Sequence, residues 1–146
     1  MLKIIAVGKK TAPELVAAIQ NYQQRLRAPF TVEWVLLPYS AQSGDTARDE
    51  ESAAIMKHLT PQTRVILLDE RGQLMTSPEF STALQQGSAT LIIGGAYGVN
   101  DALRQRADVV ISLSKLVFPH QLVRLILMGQ IYRAQAIALH QPYHHI

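Results

Sequence analysis

The sequence predicts an α/β protein with a doubly wound, mostly parallel sheet. Short apolar runs closed by glycine or turn residues recur along the chain, and segments with apolar residues at helical spacing separate them. The 146 residues suit one domain, expected to span 1–146. Strands that alternate with helices pair in parallel, because each crossover helix carries the chain back over the sheet and covers a face of it.

Leu2–Val7 is the first apolar run, closed by Gly8. Thr11-Ala12-Pro13-Glu14 then predicts a capped helix start, with Thr11 and Glu14 forming a capping box. Leu15, Ile19, Tyr22 and Leu26 give that helix one apolar stripe. Thr31–Leu37 alternates as a strand, and Pro38–Gly44 is a polar, turn-rich loop. Thr46–Leu59 reads as a helix whose acids (Asp49, Glu50, Glu51) lie early and whose Lys57 and His58 lie late, as its dipole favours. Arg64–Leu68 is a third strand, ending in the turn Asp69-Glu70-Arg71-Gly72. Thr76-Ser77-Pro78-Glu79 caps a helix that Gly87 stops. Ala89–Ile93 is a fourth strand, Asp101–Arg106 a short helix, and Val109–Leu113 a fifth strand. After the loop Ser114–Pro119, His120–Leu139 is the longest helix, and His140–Ile146 a tail.

Composition narrows the function classes. With no cysteine, disulfides, thiolate metal sites and cysteine nucleophiles are excluded. The net charge of +3 permits a polyanionic partner without demanding one. Met1–Val7 is too short for a signal peptide, and the apolar stretch Leu122–Leu139 is interrupted by Arg124, Gly129, Gln130, Arg133 and Gln135. A soluble, cytoplasmic protein without membrane contact is expected.

Ligands of such folds bind at the carboxyl ends of strands, so the segments after Leu68, Ile93 and Leu113 carry the candidate site. Gly94-Gly95-Ala96-Tyr97-Gly98 follows a strand and precedes a helix. It is either a tight turn or a place where backbone approaches a ligand; its spacing is not that of a dinucleotide loop. Ser112–His120 is a loop that stays strongly apolar, which suits the wall of a pocket for a flat apolar ring with a polar edge, such as adenine, or a loop covered by other protein. The last helix is apolar around most of its circumference, which points to a subunit interface. His140, Tyr143, His144 and His145 in the tail are either a frayed end or a catalytic arm, and no metal-ligand spacing accompanies them.

Gly94-Gly95-x-x-Gly98, Leu113-Ser114-Lys115-x-x-Phe118-Pro119-His120-Gln121-Leu122-Val123-Arg124, Gln130-Ile131-Tyr132-Arg133-Ala134 and Pro142-Tyr143-His144 together resemble the RlmH family. These are pseudouridine N3-methyltransferases of large-subunit ribosomal RNA, within the SPOUT superfamily. The similarity runs end to end and includes Ala6-Val7-Gly8-Lys9-Lys10, Tyr22, Arg25 and Leu68-Asp69. Two departures stand out: His145 and Ile146 follow His144 where relatives carry Lys or Arg, and Gly129 stands where relatives carry Glu.

The resemblance implies a trefoil knot in the C-terminal half and a homodimer that methylates 23S rRNA on the assembled ribosome. It implies S-adenosyl-L-methionine as methyl donor, held by Leu68, Gly94, Gly95 and the run Leu113, Ser114, Lys115, Leu116, Val117 and Phe118, with no metal. His144 is then the expected proton acceptor, with Tyr143 positioning or stacking on the target base. Lys9, Lys10 and Arg25 are candidates for an RNA-facing rim, each also readable as an ordinary surface charge. His120, Arg124 and Arg133 either contact phosphate or fix the knot, and Arg133 equally suits an interface pair. A SPOUT enzyme acting on another RNA such as tRNA, and a catalytically silent RNA-binding protein, are the competing expectations; donor binding separates the second from the first.

Overall fold

The computed structural model describes residues 1–143. Its elements run β1 (Leu2–Val7), α1 (Pro13–Gln23), β2 (Val32–Leu37), α2 (Gly44–Met56), β3 (Val65–Leu74), α3 (Ser77–Leu84), β4 (Ala89–Ile93), α4 (Asp101–Arg106), β5 (Val109–Ser112) and α5 (His120–Ala138). The five strands form one sheet in the order β2-β1-β4-β3-β5, and every neighbouring pair is parallel. The expected doubly wound α/β architecture is therefore the one observed.

β1 and β4 are central, which explains why their residues are almost continuously apolar: a strand covered on both faces has no solvent side. Ile4, Ala6, Leu91 and Ile93 face a core completed by Ile19 and Phe30 and by Leu127, Met128, Ile131 and Ala134 of α5. Ile5, Val7, Leu67 and Ile92 face the opposite core, closed by Ile55 of α2 and Leu103 of α4. Each such buried aliphatic side chain contributes roughly 1.5–3 kcal/mol relative to exposure.

α5 is fastened on both flanks. Ser81 Oγ donates to the carbonyl of Ala134 (2.8 Å) and Ser77 Oγ to Gln130 Oε1 (2.8 Å), tying it to α3. The buried Gln135 accepts from the Arg27 amide (2.6 Å) and donates to the Arg25 carbonyl (3.1 Å), holding the chain that leaves α1. These polar ties explain how a buried helix tolerates glutamine and serine contacts in its core face.

Three local expectations are corrected. Thr11 and Glu14 form no capping box: α1 starts after Ala12 without a side-chain cap, because Thr11 Oγ1 instead accepts from Arg124 Nη1 at 3.1 Å. The predicted box at Thr76 and Glu79 does form. The third strand does not end at Leu68. It bulges through Asp69–Gly72 and rejoins β5 at Gln73, where the register shifts. Gly72 permits this, since a Cβ there would stand 2.6 Å from the Val110 backbone. Finally, α2 spans Gly44–Met56, two residues earlier at its start and three at its end than the charge pattern suggested.

Candidate active site

The carboxyl ends of β3, β4 and β5 and the start of α5 enclose a cavity of about 590 Å³. β4 delivers Gly94 and Gly95 to its floor. The carbonyl of Gly95 accepts from the Gly98 amide (3.0 Å), and Gly98 takes φ 74°, a left-handed turn conformation that favours glycine. A Cβ on Gly94 would lie 3.0 Å from Val99 Cγ1, and one on Gly95 would lie 2.9 Å from Glu51 Oε1. A side chain at either position would force its neighbours to shift.

The opposite wall is the loop after β5. Ser112 Oγ donates to the Ser114 carbonyl (2.6 Å) and Ser114 Oγ accepts from the Leu116 amide (3.0 Å), which curls the loop back on itself. Leu116 and Val117 are 73% and 74% exposed in the single chain, a large solvent exposure for two neighbouring aliphatic residues. Of the sequence-predicted donor-site residues, Leu68, Gly94, Gly95, Leu113, Ser114, Leu116, Val117 and Phe118 line the cavity; Lys115 is exposed and points elsewhere than its lining.

The cavity also takes in Asp69 and Tyr97 from the quoted segments, and Arg48 and Arg104, which no motif flagged. Asp69 and Arg104 pair at 2.9 Å, and Arg104 also binds Asp101 and the Val99 carbonyl. Asp69 stands at the start of the β3 bulge, in the segment after Leu68 where the sequence placed a candidate loop.

His120 stands at the mouth. Its Nε2 bonds the Tyr39 hydroxyl at 2.8 Å, and the rings meet edge to face. Burial, and secondarily the Arg124 guanidinium, push the imidazole pKa below its ordinary value, while Glu51 partly opposes this. Gln121 accepts from the Ala12 amide and donates to the Lys10 carbonyl, which sets the exposed Lys9 and Lys10 beside the first turn of α5.

Arg124 is fully buried. It donates to the carbonyls of Val7 (3.1 Å) and Gly8 (2.8 Å) and to Thr11, so its guanidinium holds the β1–α1 turn and does not reach a surface.

Tyr143 lies elsewhere. It packs edge to face on Tyr132 (4.8 Å between centroids), and its hydroxyl is 3.4 Å from that of Tyr22. Arg133 stacks over Tyr143 and Arg25 over Tyr132, Arg25 also donating to the Tyr132 hydroxyl at 2.8 Å. The Tyr22 hydroxyl and burial raise the Tyr143 pKa above the usual phenol value. Tyr132 is twelve residues past His120 on one helix, about 18 Å along its axis. His144 lies outside the described residues.

The class is that of a transferase: the family model described as "Predicted SPOUT methyltransferase" matches residues 1–144. The solved structure of the SpoU methyltransferase AviRb from Streptomyces viridochromogenes, in complex with the cofactor AdoMet, shares the fold with a TM-score of 0.53 at 16% identity, covering 94% of this chain and 58% of that one. Proteins named Ribosomal RNA large subunit methyltransferase H are similar over nearly their whole length. That of Desulfitobacterium hafniense (strain DSM 10664 / DCB-2) is 40% identical over 98% of both chains, that of Geobacter sulfurreducens 39% over 99% of both, and that of Parabacteroides distasonis 38% over 97% of both. The chain belongs to this family of SPOUT methyltransferases, as the motifs indicated. Among the described residues no helix is long and apolar enough to cross a membrane.

Proposed function

We propose that the chain methylates N3 of a pseudouridine in 23S rRNA, on the assembled ribosome and as a homodimer, with S-adenosyl-L-methionine as donor. The observation that carries this is the cavity with a side-chain-free glycine floor and an apolar loop wall, at the strand ends where such folds bind ligands. The relatives' printed name supplies the substrate class, and the threading of the loop wall into a trefoil knot belongs to the same proposal.

The donor fits what is present. The wall of Leu113, Leu116, Val117 and Phe118 suits adenine, and the Gly94–Gly95 floor lets the rest of the molecule lie against backbone. When bound, it supplies a methyl group on a sulfonium, which passes in line to the ring nitrogen and leaves a neutral thioether. The chain's contribution is alignment in a site from which water is excluded, and acceptance of the N3 proton. His144 is assigned that proton, and Tyr143 the stacking on the base. Because Tyr143 sits near the far end of α5 from its own cavity, the tail serves the cavity of the second subunit. Burial of Leu116 and Val117 at that junction removes their exposed apolar surface from water. Lys9 and Lys10 beside the mouth contact the rRNA backbone.

Mass spectrometry of 23S rRNA tests this directly. A strain lacking the chain should lose one N3-methylpseudouridine, wild type should restore it, and His144→Ala should not. An unchanged methylation pattern in the deletion strain rejects the proposal.

A further inference from the structure

The residue that the family motifs and the sequence pattern both pass over is Glu51. It lies in the middle of α2 and is 95% removed from solvent. Its Oε2 accepts from the Ser40 amide at 3.0 Å, while its Oε1 is buried and has no hydrogen-bond partner. That unanswered oxygen lies 2.9 Å from the point where a Cβ on Gly95 would stand, so the carboxylate presses against the underside of the cavity floor through the one residue that has no side chain to block it. The arrangement is held from behind: Ser52 Oγ accepts from the Asn100 amide (3.0 Å) and Asp49 from the Asn100 side chain (3.1 Å), locking α2 to the start of α4.

Among the described residues no ion pair involves it. Arg104 is taken by Asp69 and Asp101, Arg48 by Asp45, and Arg124 by the β1 carbonyls. His120, whose imidazole feels Glu51, is pushed toward its neutral form by burial. A buried carboxylate with an unanswered oxygen is unfavourable unless positive charge arrives within reach. The donor proposed above brings such a charge at sulfur and loses it on transfer. In the donor assignment above, adenine lies against the loop after β5, which leaves the Gly94–Gly95 floor that Glu51 underlies for the sulfur end of the molecule.

We propose that Glu51 is a positioning residue that makes the cavity select the cationic methyl donor over its neutral product. The field of the carboxylate, acting through Gly95, strengthens binding of S-adenosylmethionine and gives no such help to S-adenosylhomocysteine, so methyl transfer itself weakens the hold on the product. This rests on the donor assignment of the cavity.

The test is calorimetry on the full chain with three probes: S-adenosylmethionine, sinefungin (where carbon replaces sulfur and a cationic amine replaces the methyl group) and neutral S-adenosylhomocysteine. Glu51→Gln keeps the shape and an acceptor for the Ser40 amide but removes the charge. It should weaken both cationic probes about tenfold and leave the neutral one within about twofold. Glu51→Asp, which keeps the charge, should retain part of the selectivity. Equal weakening of all three probes, or no change in any, overturns the role of Glu51 while leaving the donor site standing. Failure of the wild type to bind any of the three overturns both.

Discussion

The Arg124 guanidinium donates to the Gly8 carbonyl across 116 positions of sequence, at 2.8 Å and out of contact with solvent. Gly8 has φ 115°, and a Cβ on it would meet the Tyr39 hydroxyl at 2.7 Å and Arg124 Nη2 at 3.1 Å. The turn leaving β1, the start of α5 and the loop carrying Tyr39 thus converge on one buried cation.

Arg124→Met should therefore destabilise the fold by about 3 kcal/mol, because the Val7 and Gly8 carbonyls lose their buried donor. Denaturant titration measures this directly. A loss under about 0.5 kcal/mol, the range of ordinary surface substitutions, would mean that water replaces the guanidinium.

Gly94→Val should weaken donor binding at least about tenfold, or ~1.4 kcal/mol. Its Cβ would stand 3.0 Å from Val99 Cγ1 and 3.2 Å from the Gly98 backbone, so the floor must shift into the cavity. Calorimetry with S-adenosylmethionine reads it, and normal affinity would contradict the assignment of the floor.

His120 gives the protein a pH dependence with a definite sign. Its native pKa lies below the unfolded value of about 6.5, so below that pH the unfolded chain binds the extra proton first. The stability associated with neutral His120 is present above about pH 6.5 and is lost as pH falls toward the lowered native value. Thermal melts of wild type and His120→Gln from pH 7.5 to about 5 should converge as pH falls. Parallel curves would show that His120 does not titrate between the two states.

Gly129→Ala should raise stability by up to ~1 kcal/mol, since a helix-interior glycine costs that much relative to alanine. The added Cβ would touch the Tyr22 ring at 3.6 Å, an ordinary contact. A higher melting midpoint is expected; a lower one would mean that the ring cannot accept the methyl group.

The sequence spoke most clearly where structure is local. β1 and β4 match their apolar runs end for end, and Thr76 and Glu79 cap α3 as their spacing requires. It misled where a residue's partner lies far along the chain. Thr11 has the right spacing for a cap but gives its hydroxyl to Arg124, and Asp69–Gly72 has the composition of a turn but is a bulge shaped by β5. The glycine floor and apolar wall were visible as motifs because their chemistry lies in consecutive residues. Glu51 was not: among Asp49 and Glu50 it looks like one more helix acid, and only the fold distinguishes it by burying it under Gly95.

The strand order has a consequence for how the chain is made. β1 is made before every element that completes it, yet one of its two neighbours is β4, and the turn that closes it waits for Arg124. The earliest segment is therefore completed by nearly the last. Contacts so distant along the chain make folding slow relative to local helical proteins. A nascent chain halted before β4 would carry a half-paired β1, and one halted between β4 and α5 would still leave the Val7 and Gly8 carbonyls without their Arg124 donor.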